Sequence, residues 1–176
     1  MKSRESSELL PGVTLLEQTP IIIEKILYDA TDEQLHWKPS RERWSISEVL
    51  AHLVDVENVF RERAGRMLKE NSPQLESYDQ NAAYAAGKYS SGRAREHLQH
   101  FCHERDRTMS FLRYAPVASV ARTAQHAELG RITLGELMHE WAFHDLGHIR
   151  QIAELFRSRA FYTRMGGFQK YYTVHP

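Results

Sequence analysis

The chain has 176 residues, 41 % of them apolar, and its 23 Lys plus Arg are balanced by 23 Asp plus Glu, so the formal net charge is zero. That length suits one domain with a single core. The charge balance argues against nucleic-acid and membrane partners, because phosphate backbones and anionic headgroups are held by a surplus of Lys and Arg.

Strand signals are nearly absent, and the pattern is one of helices separated by short Pro, Ser, Gly and Asp punctuation. The first helix is expected over residues 13–28, with Thr19-Pro20 as either a kink or the true start. Thr31 and Gln34 are then spaced as a capping box. Ser45 and Glu48 form a sharper one, flanked by Trp44 and Val49 at the staple positions, and open a second helix that reaches about residue 69. Residues 73–89 read as a long connection with a small helix after Asp79. A third helix is expected over 93–112, stopped before Pro116. Thr133 and Glu136, with Ile132 and Leu137 as staple, open the fourth, which runs to about Phe156. The expected fold is all-α: an antiparallel up-and-down four-helix bundle over 1–158 with one long connection. Residues 159–176 form a C-terminal tail whose Phe168, Tyr171 and Tyr172 make it too apolar for plain disorder. It is read as a strap packed on the bundle, or as a lid or dimer contact.

A lone cysteine, Cys102, excludes an intrachain disulfide and fits a reducing compartment. The first thirty residues hold no continuous apolar run, and no stretch approaches the ~18 apolar residues needed to cross a bilayer. The expected location is cytoplasmic. Cys102 falls on the core face of the third helix and reads as an apolar filler.

Ten histidines are the oddity of the composition. At 100° per residue, His97, His100 and His103 point away from the arc of Leu98, Phe101, Met109 and Leu112, and read as solvated. His139 and Glu140 begin like a zinc-protease H-E-x-x-H, but the second His position is Phe143. His144 and His148 share one stripe at i, i+4 spacing, beside the arc of Leu137, Trp141, Ile152 and Leu155. They are either two ligands of one ion or a pair of partly buried histidines. His52 lies at the shoulder of the apolar arc of the second helix. If helices two and four are neighbours, it completes a three-histidine set with an open position, the count of a catalytic metal site. Glu57 and Asp145 project into the apolar arcs of their own helices, where a lone carboxylate is costly. They either orient a ligand imidazole from the second shell or pair structurally with Arg61, Trp44 or a helix terminus. His36, His126 and His175 have no assignment.

The run from Trp44 through His52 to Glu57 resembles the second-helix signature of the DinB-like superfamily, and Leu134 through His144 and His148 to Ile152 resembles its last-helix signature. Thr31 to Leu35 with Trp37 and Pro39, and the Tyr-Tyr tail, extend the likeness over most of the chain. The resemblance implies a four-helix bundle, commonly a homodimer, that binds one divalent transition metal (zinc, nickel, iron or manganese) through His52, His144 and His148. It implies a metal-dependent hydrolase, or a transferase using a low-molecular-weight thiol, acting on a small-molecule substrate. A non-catalytic metal-binding module and a purely structural bundle are the alternatives.

Overall fold

The computed structural model describes residues 9–176. Four long helices, α1 (Val13–Ile26), α3 (Ile46–Lys69), α5 (Ala94–Leu112) and α6 (Leu134–Ala160), form the bundle. Between them lie α2 (Asp32–His36), α4 (Gln80–Ala85) and three short strands, β1 (Gln74–Leu75), β2 (Thr123–His126) and β3 (Gly130–Thr133). The capping boxes at Thr31, Ser45 and Thr133 all form, each side-chain oxygen accepting from the third helical N–H.

Packing neighbours run in the ring order α1–α5–α3–α6. One core cluster joins Val13 and Leu16 to Phe60, Met67, Met109, Leu112, Leu137 and Trp141. The other joins Ile23 and Leu27 to Ile46, Val49, Leu53, Leu98, Phe101, Ile152 and Leu155. Each helix thus passes from one cluster to the other, and the order fixes its direction: α1 and α6 run one way, α3 and α5 the other. The bundle, its long connection and its tail are as expected, but the chain runs up, down, down, up in place of simple alternation. The reason is the connection between α3 and α5. It retraces the length of α5, about 28 Å for 19 residues at 1.5 Å each, and so delivers α5 parallel to α3.

Three strands were not expected. β2 and β3 form an antiparallel hairpin and β1 adds parallel to β2, with Leu75 and Ala124 buried beneath. The sheet anchors the crossover where α3 ends; there Arg122 donates to the carbonyls of Met67 and Glu70, which have no helical partner. Helix α6 runs four residues beyond the expected end, to Ala160, because Ser158 and Ala160 are buried.

Pro20 lies inside α1, so the expected break is not a start. Proline lacks an N–H, which leaves the carbonyl of Leu16 without its helical partner. Arg105 supplies it from α5. At the other end of α1, Gly12 takes a left-handed φ of 74°, and a Cβ there would lie 2.7 Å from that of Ala142, so only glycine allows α1 and α6 this close.

Candidate metal centre

The antiparallel contact of α3 with α6 sets His52 against His144 and His148 midway along the bundle. His52 is fully buried and the other two are half-buried. The Nε2 of His144 lies 3.2 Å from the Nε2 of His52 and 3.2 Å from that of His148. One imidazole nitrogen offers either a proton or a lone pair, so His144 Nε2 can satisfy only one of these neighbours by hydrogen bonding. A single cation satisfies all three. Two nitrogens each about 2.0–2.1 Å from one ion at a tetrahedral angle stand about 3.3 Å apart, close to the spacing observed. The donor set therefore fits a divalent ion with a position left open.

Protonation also suits ligation. Burial, reinforced by the neighbouring imidazoles, pushes His52 down to about 3 and His144 down to about 4. Burial likewise lowers His148, against the hydrogen bond it donates to Gln151 and the Asp145 charge, which raise it. His52 and His144 are neutral at pH 7 with lone pairs available. Their rings are also held in place. Phe60 stacks on Trp141 and meets His144 edge-on. Nδ1 of His148 is 2.9 Å from Gln151 Oε1, and Nδ1 of His52 is 3.4 Å from the Tyr89 hydroxyl. When each Nδ1 donates to its partner, each Nε2 faces the centre as a lone pair.

The crossover forms one wall. Tyr84 of α4 stacks on Trp44, which packs edge-on against His52. Tyr78, Lys88 and Tyr89 all donate to Asp55, one turn after His52 on α3. Burial opposes ionisation of Asp55, and these three hydrogen bonds outweigh it and hold the carboxyl below its usual range.

Two clefts meet at His144. One, of 520 Å³, is walled by Val56, Phe60, Ile132 and Leu137. The other, of 480 Å³, is lined by His148, Arg43, Arg150 and the tail residues His175 and Pro176. Gln80 and Glu140 line both. The tail is fastened there by Arg157, which donates to Thr173 O, and by Glu154, which accepts from His175 N.

Glu57 and Asp145 do not hydrogen-bond the histidines. Both carboxylates grip Arg105, a fully buried arginine of α5. Its five N–H groups are spent on Glu57, Asp145 and Leu16 O, while Thr108 donates to Glu57. This network touches all four long helices and separates the two core clusters. None of the expected partners (Arg61, Trp44 or a helix terminus) is involved; Arg61 instead pairs with Glu104.

The remaining histidines sort as expected where an expectation existed, except His97, which was expected to be solvated and instead packs against Ser91 and Gly92. His100, His103 and His139 are exposed, and half-buried His97 meets Ser91 O. Buried His126 accepts from the N–H groups of Glu128 and Leu129 and so shapes the β2–β3 turn. Cys102 faces Glu24, and burial together with that carboxylate pushes its thiol up to about 11. These surroundings favour the protonated thiol over the nucleophilic thiolate. Sequence reasoning missed Tyr89, Asp55, Gln151 and Arg105. Two of these carried a signal: Gln151 sits one turn after His148, and Arg105 falls on the stripe of Leu98, Phe101 and Leu112.

Comparison with known proteins agrees with this fold. The curated relative "Putative metal-dependent hydrolase OB0782" of Oceanobacillus iheyensis is 25 % identical over 141 residues, covering 80 % of this chain and 81 % of the relative. The solved structure of YfiT from Bacillus subtilis, described as "a probable metal-dependent hydrolase with an unusual four-helix bundle topology", superposes with a TM-score of 0.75 at 24 % identity. The match covers 90 % of this chain and 93 % of YfiT. The DinB superfamily model matches residues 15–152. The chain belongs to the DinB superfamily.

Proposed function

We propose that this protein is a metal-dependent hydrolase of a small-molecule substrate, with His52, His144 and His148 holding one divalent transition ion. The observation that carries the reading is the convergence of three Nε2 atoms at a point where two clefts meet. The name of the Oceanobacillus relative supports the reaction class. When bound, such an ion acts as a Lewis acid and makes a nucleophile available at neutral pH.

The protein's own groups do the rest. Val56, Phe60, Ile132 and Leu137 give the first cleft an apolar wall against which the body of the substrate packs. Glu140 lies one helical turn before His144 and lines both clefts. It is the carboxylate placed to take a proton from the attacking nucleophile and pass it to the leaving group. Gln151 and Tyr89 keep their imidazoles oriented.

The presence of two clefts favours a second reading on the same site. A thiol transferase needs separate room for an electrophile and for a low-molecular-weight thiol, and Arg43 and Arg150 in the polar cleft suit the carboxylates such thiols carry. Metal-reconstituted protein assayed on esters, amides and lactones, with and without added cysteine or glutathione, separates the cases. Metal-dependent cleavage without thiol supports the hydrolase. Thiol consumption without hydrolysis identifies the transferase. A bound ion with neither activity overturns the enzymatic reading in favour of a binding module.

A further inference from the structure

We infer that Tyr89 and Asp55 form a positioning relay that fixes the tautomer of His52 and thereby the affinity of the site for its ion. The inference rests on the reading of His52 as a ligand. His52 has no solvent exposure, so its Nδ1 needs a protein partner. The partner found among the described residues is the hydroxyl of Tyr89, itself 2 % exposed.

The direction of the hydrogen bonds follows from the far end. A carboxylate only accepts, so Tyr89 donates to Asp55 Oδ2 at 3.1 Å, and Tyr78 and Lys88 donate to the same carboxylate. The Tyr78 and Tyr89 hydroxyls also touch, at 2.5 Å. Whether Tyr89 gives its proton to Asp55 or to Tyr78, its oxygen keeps a lone pair toward His52. The Nδ1 of His52 therefore carries the proton and its Nε2 carries the lone pair. In the other tautomer an N–H would point at His144 Nε2, and His52 could not ligate.

This relay differs from the support of His148. An amide such as Gln151 offers a donor at one end and an acceptor at the other, so rotation would let it serve either tautomer. Tyrosine anchored on a carboxylate has no such freedom. At 3.4 Å the link between His52 and Tyr89 is the longest in the chain, and therefore the one most exposed to perturbation. Tyr78, Lys88 and Tyr89 all come from the crossover, so the long connection between α3 and α5 also completes the metal centre.

The test uses Tyr89→Phe, which keeps the ring and removes the hydroxyl, with Tyr84→Phe as a control that touches the crossover but not the relay. Imidazole 15N NMR of the metal-free protein reads the tautomer directly, and Zn2+ competition titration reads affinity. Wild type and Tyr84→Phe should show His52 as the Nδ1–H form. Tyr89→Phe should lose that fixed form and bind Zn2+ about 10–100-fold more weakly. Asp55→Asn should weaken Zn2+ in the same direction, and it keeps the test open should Tyr89→Phe fail to fold. Folded Tyr89→Phe with the wild-type tautomer and wild-type Zn2+ affinity would overturn the relay. A wild type that takes up no Zn2+ yet holds the Nδ1–H form, lost in Tyr89→Phe, would support the relay and remove the metal reading instead.

Discussion

His52 and His144 are 92 residues apart in sequence, yet their Nε2 atoms stand 3.2 Å apart in the α3–α6 interface. Two neutral imidazoles gain little from such an approach, and a third arrives at the same point from one turn along α6. The arrangement makes sense as a cation site, and the following consequences can be measured.

Removing the central ligand should abolish the site. His144→Ala takes away the nitrogen shared by both close pairs. Wild-type thermal stability should rise with added Zn2+ by mass action, about 2.7 kcal/mol at one hundred times Kd. The melting temperature of His144→Ala should not respond over the same range. An equal shift in both proteins would place the ion elsewhere.

Metal affinity should be less sensitive to mild acid than that of a site built from three ordinary imidazoles. His52 titrates near 3 and His144 near 4 in the folded protein, well below an ordinary imidazole at about 6.5. Protons therefore compete with the ion at these two ligands only below about pH 4, whereas a site of ordinary imidazoles weakens from pH 6.5 downward. The same depression works against the metal-free fold. The unfolded chain takes up protons on these histidines as pH falls below 6.5 while the folded chain does not, so stability is full above 6.5 and is lost progressively toward 3–4. Metal titrations and denaturant midpoints at pH 7.5, 6.5 and 5.5 check both slopes. Zn2+ affinity falling between 7.5 and 5.5 as steeply as proton competition at three ordinary imidazoles requires would contradict the shifts.

Arg105 should be among the most sensitive positions of the bundle. Arg105→Met strands two buried carboxylates, Glu57 and Asp145, and should cost about 3–5 kcal/mol in urea unfolding. Replacing all three groups together, Arg105→Met with Glu57→Met and Asp145→Leu, should recover most of that loss, because buried charge networks are often matched by apolar packing. A triple variant no more stable than Arg105→Met would mean that the network specifies the fold through more than charge neutralisation.

The tail should govern access. Deleting residues 173–176 removes His175 and Pro176 from the polar cleft and the two hydrogen bonds that hold them. Chelator should then strip the ion faster at nearly unchanged stability. Identical stripping rates would show that the tail does not guard the site.

Sequence periodicity foretold the bundle because each long helix carries an apolar stripe and two of them, α3 and α6, open with a complete capping box, signals that are local. Helix direction is not local. An apolar stripe reads the same whichever way its helix runs, and only the length of residues 70–93 hinted that α5 could lie parallel to α3. The hairpin escaped notice because Thr123–His126 and Gly130–Thr133 are four residues each, with Ile132 the lone large aliphatic side chain between them. At the candidate site, helical spacing grouped His144 with His148, and family likeness added His52. Tyr89 lies 37 residues from His52 with no periodic relation to it, so only the folded crossover reveals it. The buried acids Glu57 and Asp145 were conspicuous on their apolar faces, but their shared partner lies on a third helix.

The most direct test of the three-histidine centre is metal content after reconstitution and exhaustive dialysis, measured on wild type and on His52→Ala, His144→Ala and His148→Ala. One tightly held divalent ion per wild-type chain, and its loss in every variant, is the predicted result. No retained ion in the wild type, or equal retention in all three variants, would contradict it.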